Sequence, residues 1–196
     1  LLVVRGRSAT AAGLLIGVAA LAPGRAIVDA QFAVDASRAM RPEFLVPGSV
    51  SAEPAFGGLL LLLAGHAAAV VAGVLAARAA VALPDDAQGP DRGVRGLGVL
   101  AVGAALALAV GVLMPPYDSA DANLLDGSAL DGPALVVLGS LAIGLAAIGA
   151  VVTALTVPSW GRFTGVLAGV AVAGASLALP NLVGVAMQSW LSLAAG

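Results

Sequence analysis

Apolar residues run through this chain in long blocks, and the polar positions between them mark out the elements. The blocks are Leu1–Ala22 (interrupted by Arg5 and Arg7), Phe56–Leu83 (by His66 and Arg78), Leu97–Met114, Pro133–Val157, and Phe163 to Leu193 with Pro180 inside it. A bilayer core of about 30 Å takes roughly 20 residues of helix. Backbone groups within lipid must be satisfied inside the segment, so spans of this kind are helices. The pattern therefore predicts an all-α protein, a polytopic transmembrane bundle of about five spans over 5–22, 56–82, 97–114, 133–157 and 163–180. Residues 1–196 form a single membrane domain on this reading. Pro23-Gly24 is expected to end the first span, since proline removes a backbone donor and glycine favours a helix end. A signal peptide ending at Ala20-Leu21-Ala22 is the competing reading, weakened by a proline directly after the cut. Beyond Pro180 the residues are more polar (Asn181, Gln188, Ser189, Ser192), and 181–194 is expected to be an interfacial or re-entrant helix.

Composition agrees with the pattern. Hydrophobic residues make up 60% of the chain and charged residues only 10%, against about 25% charged in an ordinary soluble domain. A soluble enzyme, a nucleic-acid binder and a disordered chain are thereby disfavoured. No cysteine is present, which removes disulfides, thiolate chemistry and cysteine metal sites. All nine basic residues are arginine, a bias that fits a bacterial chain of high GC content.

Charge then orients the spans. Arg5, Arg7, Arg78, Arg92, Arg95 and Arg162 fall on one side of a five-span arrangement. The loop 117–132 carries Asp118, Asp121, Asp126 and Asp131 without a basic residue and falls on the other. The excess of arginine on the cytoplasmic side gives a multi-pass protein of the bacterial inner membrane, N-terminus cytoplasmic and C-terminus outside. The long outer loop 24–54, with Arg25, Arg38 and Arg41, is the exception.

Within that loop, Val28, Phe32, Ala36 and Met40 recur every fourth residue and predict an amphipathic helix over 26–40. It would either cap its own bundle or dock a partner through Val28, Phe32 and Met40. The acidic loop lacks the alternating carboxylates and closing Glu of a calcium loop, so solvated acids and a helix cap near Pro133 are the reading there.

Candidate chemistry is sparse. His66, the single histidine, lies inside the second span, and an ionisable group at that depth is a functional candidate. It either pairs with a neighbouring helix or, with Asn181, lines a polar path. No acid falls clearly within an apolar block to serve as its partner. Nucleophile-elbow, P-loop, zinc-protease and dinucleotide patterns do not occur, so no catalytic residue, metal or cofactor is expected.

The commonest signal is small residues at four-residue spacing: Gly13 and Gly17; Gly65, Ala69, Gly73 and Ala77; Gly103, Ala107 and Gly111; and Gly161, Gly165 and Gly169. This spacing puts them on one helix face, where backbones can approach closely. They pack either within the chain or against other membrane subunits. The expected function is a non-catalytic accessory or scaffolding subunit of a larger membrane complex, in contact with lipid and other membrane subunits but not nucleic acid. A transporter or channel subunit with a path near His66 and Asn181 is the alternative. A lipid-modifying enzyme using the outer acids is a more remote third.

Overall fold

The computed structural model describes residues 7–34, 56–83, 91–113, 130, 132–156 and 161–176. The long elements are all helices: α1 (Ser8–Val34), α2 (Phe56–Ala80), α3 (Asp91–Leu113), α4 (Ala134–Thr156) and α5 (161–176). No strand occurs among the described residues. Three of these helices, α1, α2 and α4, are long and apolar enough to cross a membrane. In α3 the apolar stretch among the residues described is Val99–Leu113. Leu60 and Leu61 of α2, Val99 and Leu100 of α3 and Leu145 of α4 are all exposed, so the outside of the bundle is as apolar as its inside. Helices apolar on every face fit a lipid surround rather than water.

The largest departure from the sequence reading is α1. Where Pro23-Gly24 predicts a stop and a separate amphipathic helix over 26–40, the chain continues as one helix of 27 residues to Val34, with Pro23 inside it. At 1.5 Å per residue this helix is about 40 Å long. Proline removes one hydrogen bond and costs about 3 kcal/mol. Ending the helix there would instead expose a full set of terminal carbonyls and N–H groups at depth, each costing several kcal/mol away from water. Continuing is the cheaper outcome. Gly24, immediately after the proline, is also buried against α4.

α1 is the helix on which the others assemble. A Cβ built on Gly13 would lie 3.1 Å from the Gly165 Cα, and one on Gly17 would lie 3.0 Å from the Gly169 Cα. Gly13 and Gly17 thus meet Gly165 and Gly169 in the same order, and α1 runs parallel to α5. On another side, a Cβ on Gly24 would lie 2.9 Å from the Gly139 carbonyl and 2.8 Å from the Ile143 amide nitrogen of α4. On a third, Gly73 of α2 sits against Ala19, and Ala12 packs with Ala76 and Ala80, so α2 runs antiparallel to α1. The core between α1, α4 and α5 is built from Leu21, Ile143, Ala147, Phe163, Val166 and Val170. α3 joins through Ala109, beside Gly144 of α4. At the end that holds the α1 N-terminus, Arg162 Nη2 donates to the Leu83 carbonyl at 3.4 Å and ties the exit of α2 to α5.

Glycines on the two kinds of surface should respond oppositely to substitution. Gly17→Val or Gly169→Val forces a side chain into backbone of the neighbouring helix. Overpacking of that kind costs about 1–3 kcal/mol, read as a lower Tm in detergent. Gly103 and Gly111 have open space where a Cβ would go. Gly103→Ala and Gly111→Ala should therefore leave Tm unchanged or raise it, since alanine is about 0.5–1 kcal/mol better than glycine inside a helix. Equal losses at both sets would contradict the packing described.

Candidate functional site

The continuation of α1 beyond Pro23 carries Arg25 and Asp29 into the bundle. They are four residues apart and so lie on one face of the helix. Asp29 is fully buried, while the Arg25 side chain is 42% exposed. From the antiparallel α2, His66 reaches the same carboxylate: its Nε2 lies 2.8 Å from Asp29 Oδ2. The His66 side chain is 19% exposed. Arg25 Nε donates to Oδ2 at 3.2 Å. Oδ1 is 3.0 Å from the same Nε but accepts no hydrogen bond, because the N–H is aimed at the other oxygen. Both donors therefore converge on Oδ2, and Oδ1 is a buried acceptor with spare capacity.

This geometry sets the protonation pattern of the ring. A carboxylate oxygen facing a guanidinium only accepts, so His66 Nε2 carries the hydrogen and donates it. In the neutral imidazole Nδ1 is then the free acceptor. Arg25 and Asp29 cancel in charge, and the cluster is neutral overall with His66 uncharged. His66 lies about 18 Å along α2 from Arg78 at the rise of 1.5 Å per residue. The cluster is therefore well removed from the arginines at the other end of α2 and α5.

Among the described residues, other polar groups do not join it. Thr153 Oγ1 donates to the Gly149 carbonyl at 2.7 Å, Thr156 Oγ1 to Thr153 at 2.7 Å and Ser176 Oγ to Ala173 at 2.6 Å, each within its own helix. Gln31, two residues beyond Asp29, and Ser140 of α4 are buried. A groove of about 480 Å³ between α3, α4 and α5 is lined by apolar residues only, among them Leu100, Leu108, Val151 and Leu167. Among the described residues no group of three or more His, Cys, Asp or Glu converges as a metal site would require.

The residues singled out from the sequence are thus distributed unevenly. His66 is in the cluster; Asn181 and Met40 lie outside the described residues. Val28 is not free for docking: it packs on the core, and its Cγ2 meets the place where a Gly139 Cβ would stand. Phe32, one turn on, is half-buried. Gly13, Gly17, Gly73, Gly165 and Gly169 lie at helix contacts, and Gly161 is buried at the start of α5. Gly65, Gly103 and Gly111 have nothing within 4 Å of a built Cβ.

Asp29 and Arg25 are the members of the cluster that the sequence pattern does not single out, and Asp29 is the buried partner of His66. Two signals were available. The run Ala26-Ile27-Val28-Asp29-Ala30 is apolar around a single acid, and the acid follows an arginine by four residues. A helix end at Pro23 hides both, because it puts Arg25 and Asp29 in a loop. No protein-family model matches the chain, and no curated protein or solved structure matches it either.

The balance of charge in the cluster can be tested by a double-mutant cycle. Arg25→Gln leaves a fully buried anion held by His66 alone and should cost about 2 kcal/mol, less than a fully buried pair would because Arg25 is partly exposed. Adding Asp29→Asn removes the uncompensated charge and should recover about 1 kcal/mol of that loss. Unfolding in detergent measures all three variants. Additive losses would show that charge compensation is not what Asp29 and Arg25 provide.

Proposed function

We propose that this protein is a multi-pass protein of the bacterial inner membrane that takes up and passes on protons at the Arg25–Asp29–His66 cluster, as a transporter or channel subunit. About five spans, a cytoplasmic N-terminus and an outer C-terminus belong to the same reading, resting on the arginine distribution. The observation that carries it is a fully buried aspartate bonded to the single histidine between two helices long enough to cross a membrane. Ionisable groups at membrane depth are costly, and where they occur they mark ion pathways and proton relays.

The chemistry available to the pair is a proton transfer along one hydrogen bond. A proton bound at His66 Nδ1 makes the ring a cation. The ring can then pass its Nε2 hydrogen to Asp29 Oδ2: the Nε2–H bond breaks, an O–H bond forms, and the ring returns to neutrality with its hydrogen on Nδ1. Release of the carboxyl proton restores the anion, and binding of a second proton at Nε2 with loss of the one on Nδ1 returns the ring to its starting tautomer. Among the described residues, the side chains that set this path come from α1 and α2.

A second reading is the non-catalytic accessory subunit of a larger membrane complex. Its support is the set of glycines on outer faces, Gly57, Gly58 and Gly65 of α2, Gly103 and Gly111 of α3 and Gly149 of α4, with open space around each. Small residues on a lipid-facing surface are suited to close packing with another span.

Purified protein reconstituted in liposomes with an internal pH dye separates the two. Under an imposed potential the wild type should acidify or alkalinise the lumen, and His66→Gln and Asp29→Asn should each lower the rate by about tenfold or more, in the range by which a positioned proton-transfer group speeds a reaction. Dye signals indistinguishable from empty liposomes would remove the proton reading. Recovery of the native particle from membranes with other subunits in fixed ratio would then leave the accessory reading.

A further inference from the structure

The cluster leaves one of its cations half used. Arg25 meets Asp29 through Nε alone. The two Nη groups, which hold all but one of the guanidinium's N–H donors, have no bond to that carboxylate. The side chain is 42% exposed, on a helix whose other exposed positions, such as Leu15, are apolar. The outward donors of an arginine at such a place are met either by interfacial water or by an acceptor. Resting on the reading of the cluster as a proton site, we infer that Arg25 forms the second half of a coupled site, which binds one small monovalent anion when the Asp29–His66 pair holds an extra proton.

The reason is the net charge of a cluster in a low-dielectric surround. At rest Arg25 and Asp29 cancel, and the cluster is neutral. An added proton makes it a net cation whether it resides on His66 or on Asp29. In either case Asp29 has less negative charge to offer Arg25. A monovalent anion on the Nη groups restores neutrality and replaces the lost partner. Proton and anion therefore each favour the binding of the other, and the coupling is reciprocal. A divalent anion would overshoot to a net negative cluster, and a cation would worsen the excess.

Among the side chains that the structure describes, the other charges are remote. α4 contains no ionisable residue. The other charge on α2 is Arg78, about three turns away along the helix. On α5 it is Arg162, which bonds to the Leu83 carbonyl at the opposite end of the bundle, and Arg7 lies at that same end, just before α1. The anion could come from solution or be the phosphodiester of a lipid headgroup, since both present one negative charge to the same donors.

The test uses the full chain with 15N-labelled histidine, which reports on His66 alone because it is the only histidine. Chloride, nitrate and formate are titrated in maltoside micelles, which lack phosphate, and in phosphatidylglycerol nanodiscs. In micelles at least one of the three should bind about tenfold or more tightly at about pH 5 than at about pH 8, on either side of the histidine range. Saturating that anion should convert the His66 spectrum toward the protonated form at fixed pH. His66→Gln should bind with a weaker pH dependence, and His66→Gln combined with Asp29→Asn with none. Arg25→Gln should not bind, and Arg25→Lys, which keeps the charge, should bind more weakly. Loss of free-anion binding in the nanodiscs alone assigns the site to a lipid phosphodiester; binding in both assigns it to a dissolved anion. If the His66 spectrum titrates with pH but none of the three anions binds or alters it, the coupled site is refuted while the proton site stands. A His66 spectrum that does not change from about pH 5 to about pH 8 refutes the proton site itself, and the coupling with it.

Discussion

Close approach of helix backbones onto α1 is the constraint from which the rest of the structure follows. Gly13 and Gly17 bring α5 to within contact of the α1 main chain, Gly24 does the same for α4, and Gly73 for α2. Where the surround is as apolar as the core, burial of hydrocarbon gives little preference for one arrangement over another, and contact geometry has to supply it. A helix held at this distance on three sides has no freedom to rotate or slide by a residue without driving a Cβ into backbone. The depth and the facing direction of every side chain on α1 are fixed in consequence.

Asp29 owes its burial to that fixing. Its α1 neighbours are held against Gly139 and Ile143 on one side and against α2 on another. The carboxylate is thereby pointed at His66 rather than at lipid. An unpaired buried carboxylate would be prohibitive, and the structure meets the cost with two donors on one oxygen, His66 Nε2 and Arg25 Nε. The same arrangement leaves Oδ1 without a hydrogen bond and leaves the Arg25 terminal groups facing outward. A cluster assembled only for stability would do better with apolar residues of equal size, because desolvating a charge pair consumes most of what the pairing returns. Retention of three ionisable groups where hydrocarbon would serve is what makes a role in proton movement the natural reading of this site.

Pro23 links the two halves of this account. It withholds one N–H inside α1, and the carbonyl of Ala19, which would have accepted it, lies in the turn that faces Gly73 of α2. The turn with the weakest hydrogen bonding is therefore the one directly preceding the charged cluster, and it is braced by close contact with both α2 and α4.

The amino-acid sequence by itself determined that the protein is all-helical and that its longest helices suit a membrane, because uninterrupted apolar length is a local property and leaves lipid-crossing helix as the only low-energy state. It also marked His66 as a polar group out of place, and the small residues that make close contact possible. Which glycines would meet, and which, like Gly65, Gly103 and Gly111, would face outward, was not legible, since four-residue spacing marks a face without naming its neighbour. The fate of α1 at Pro23 was not legible either: a proline ends a helix in water and is carried through where ending would strand more backbone groups than continuing. That single outcome places Asp29 in the buried interior of the bundle rather than in a surface loop. The pairing of Asp29 with His66, from helices whose residues are far apart in the chain, was decided only by the tertiary structure, because it depends on the rotation and depth at which glycine contacts lock α1 against its neighbours.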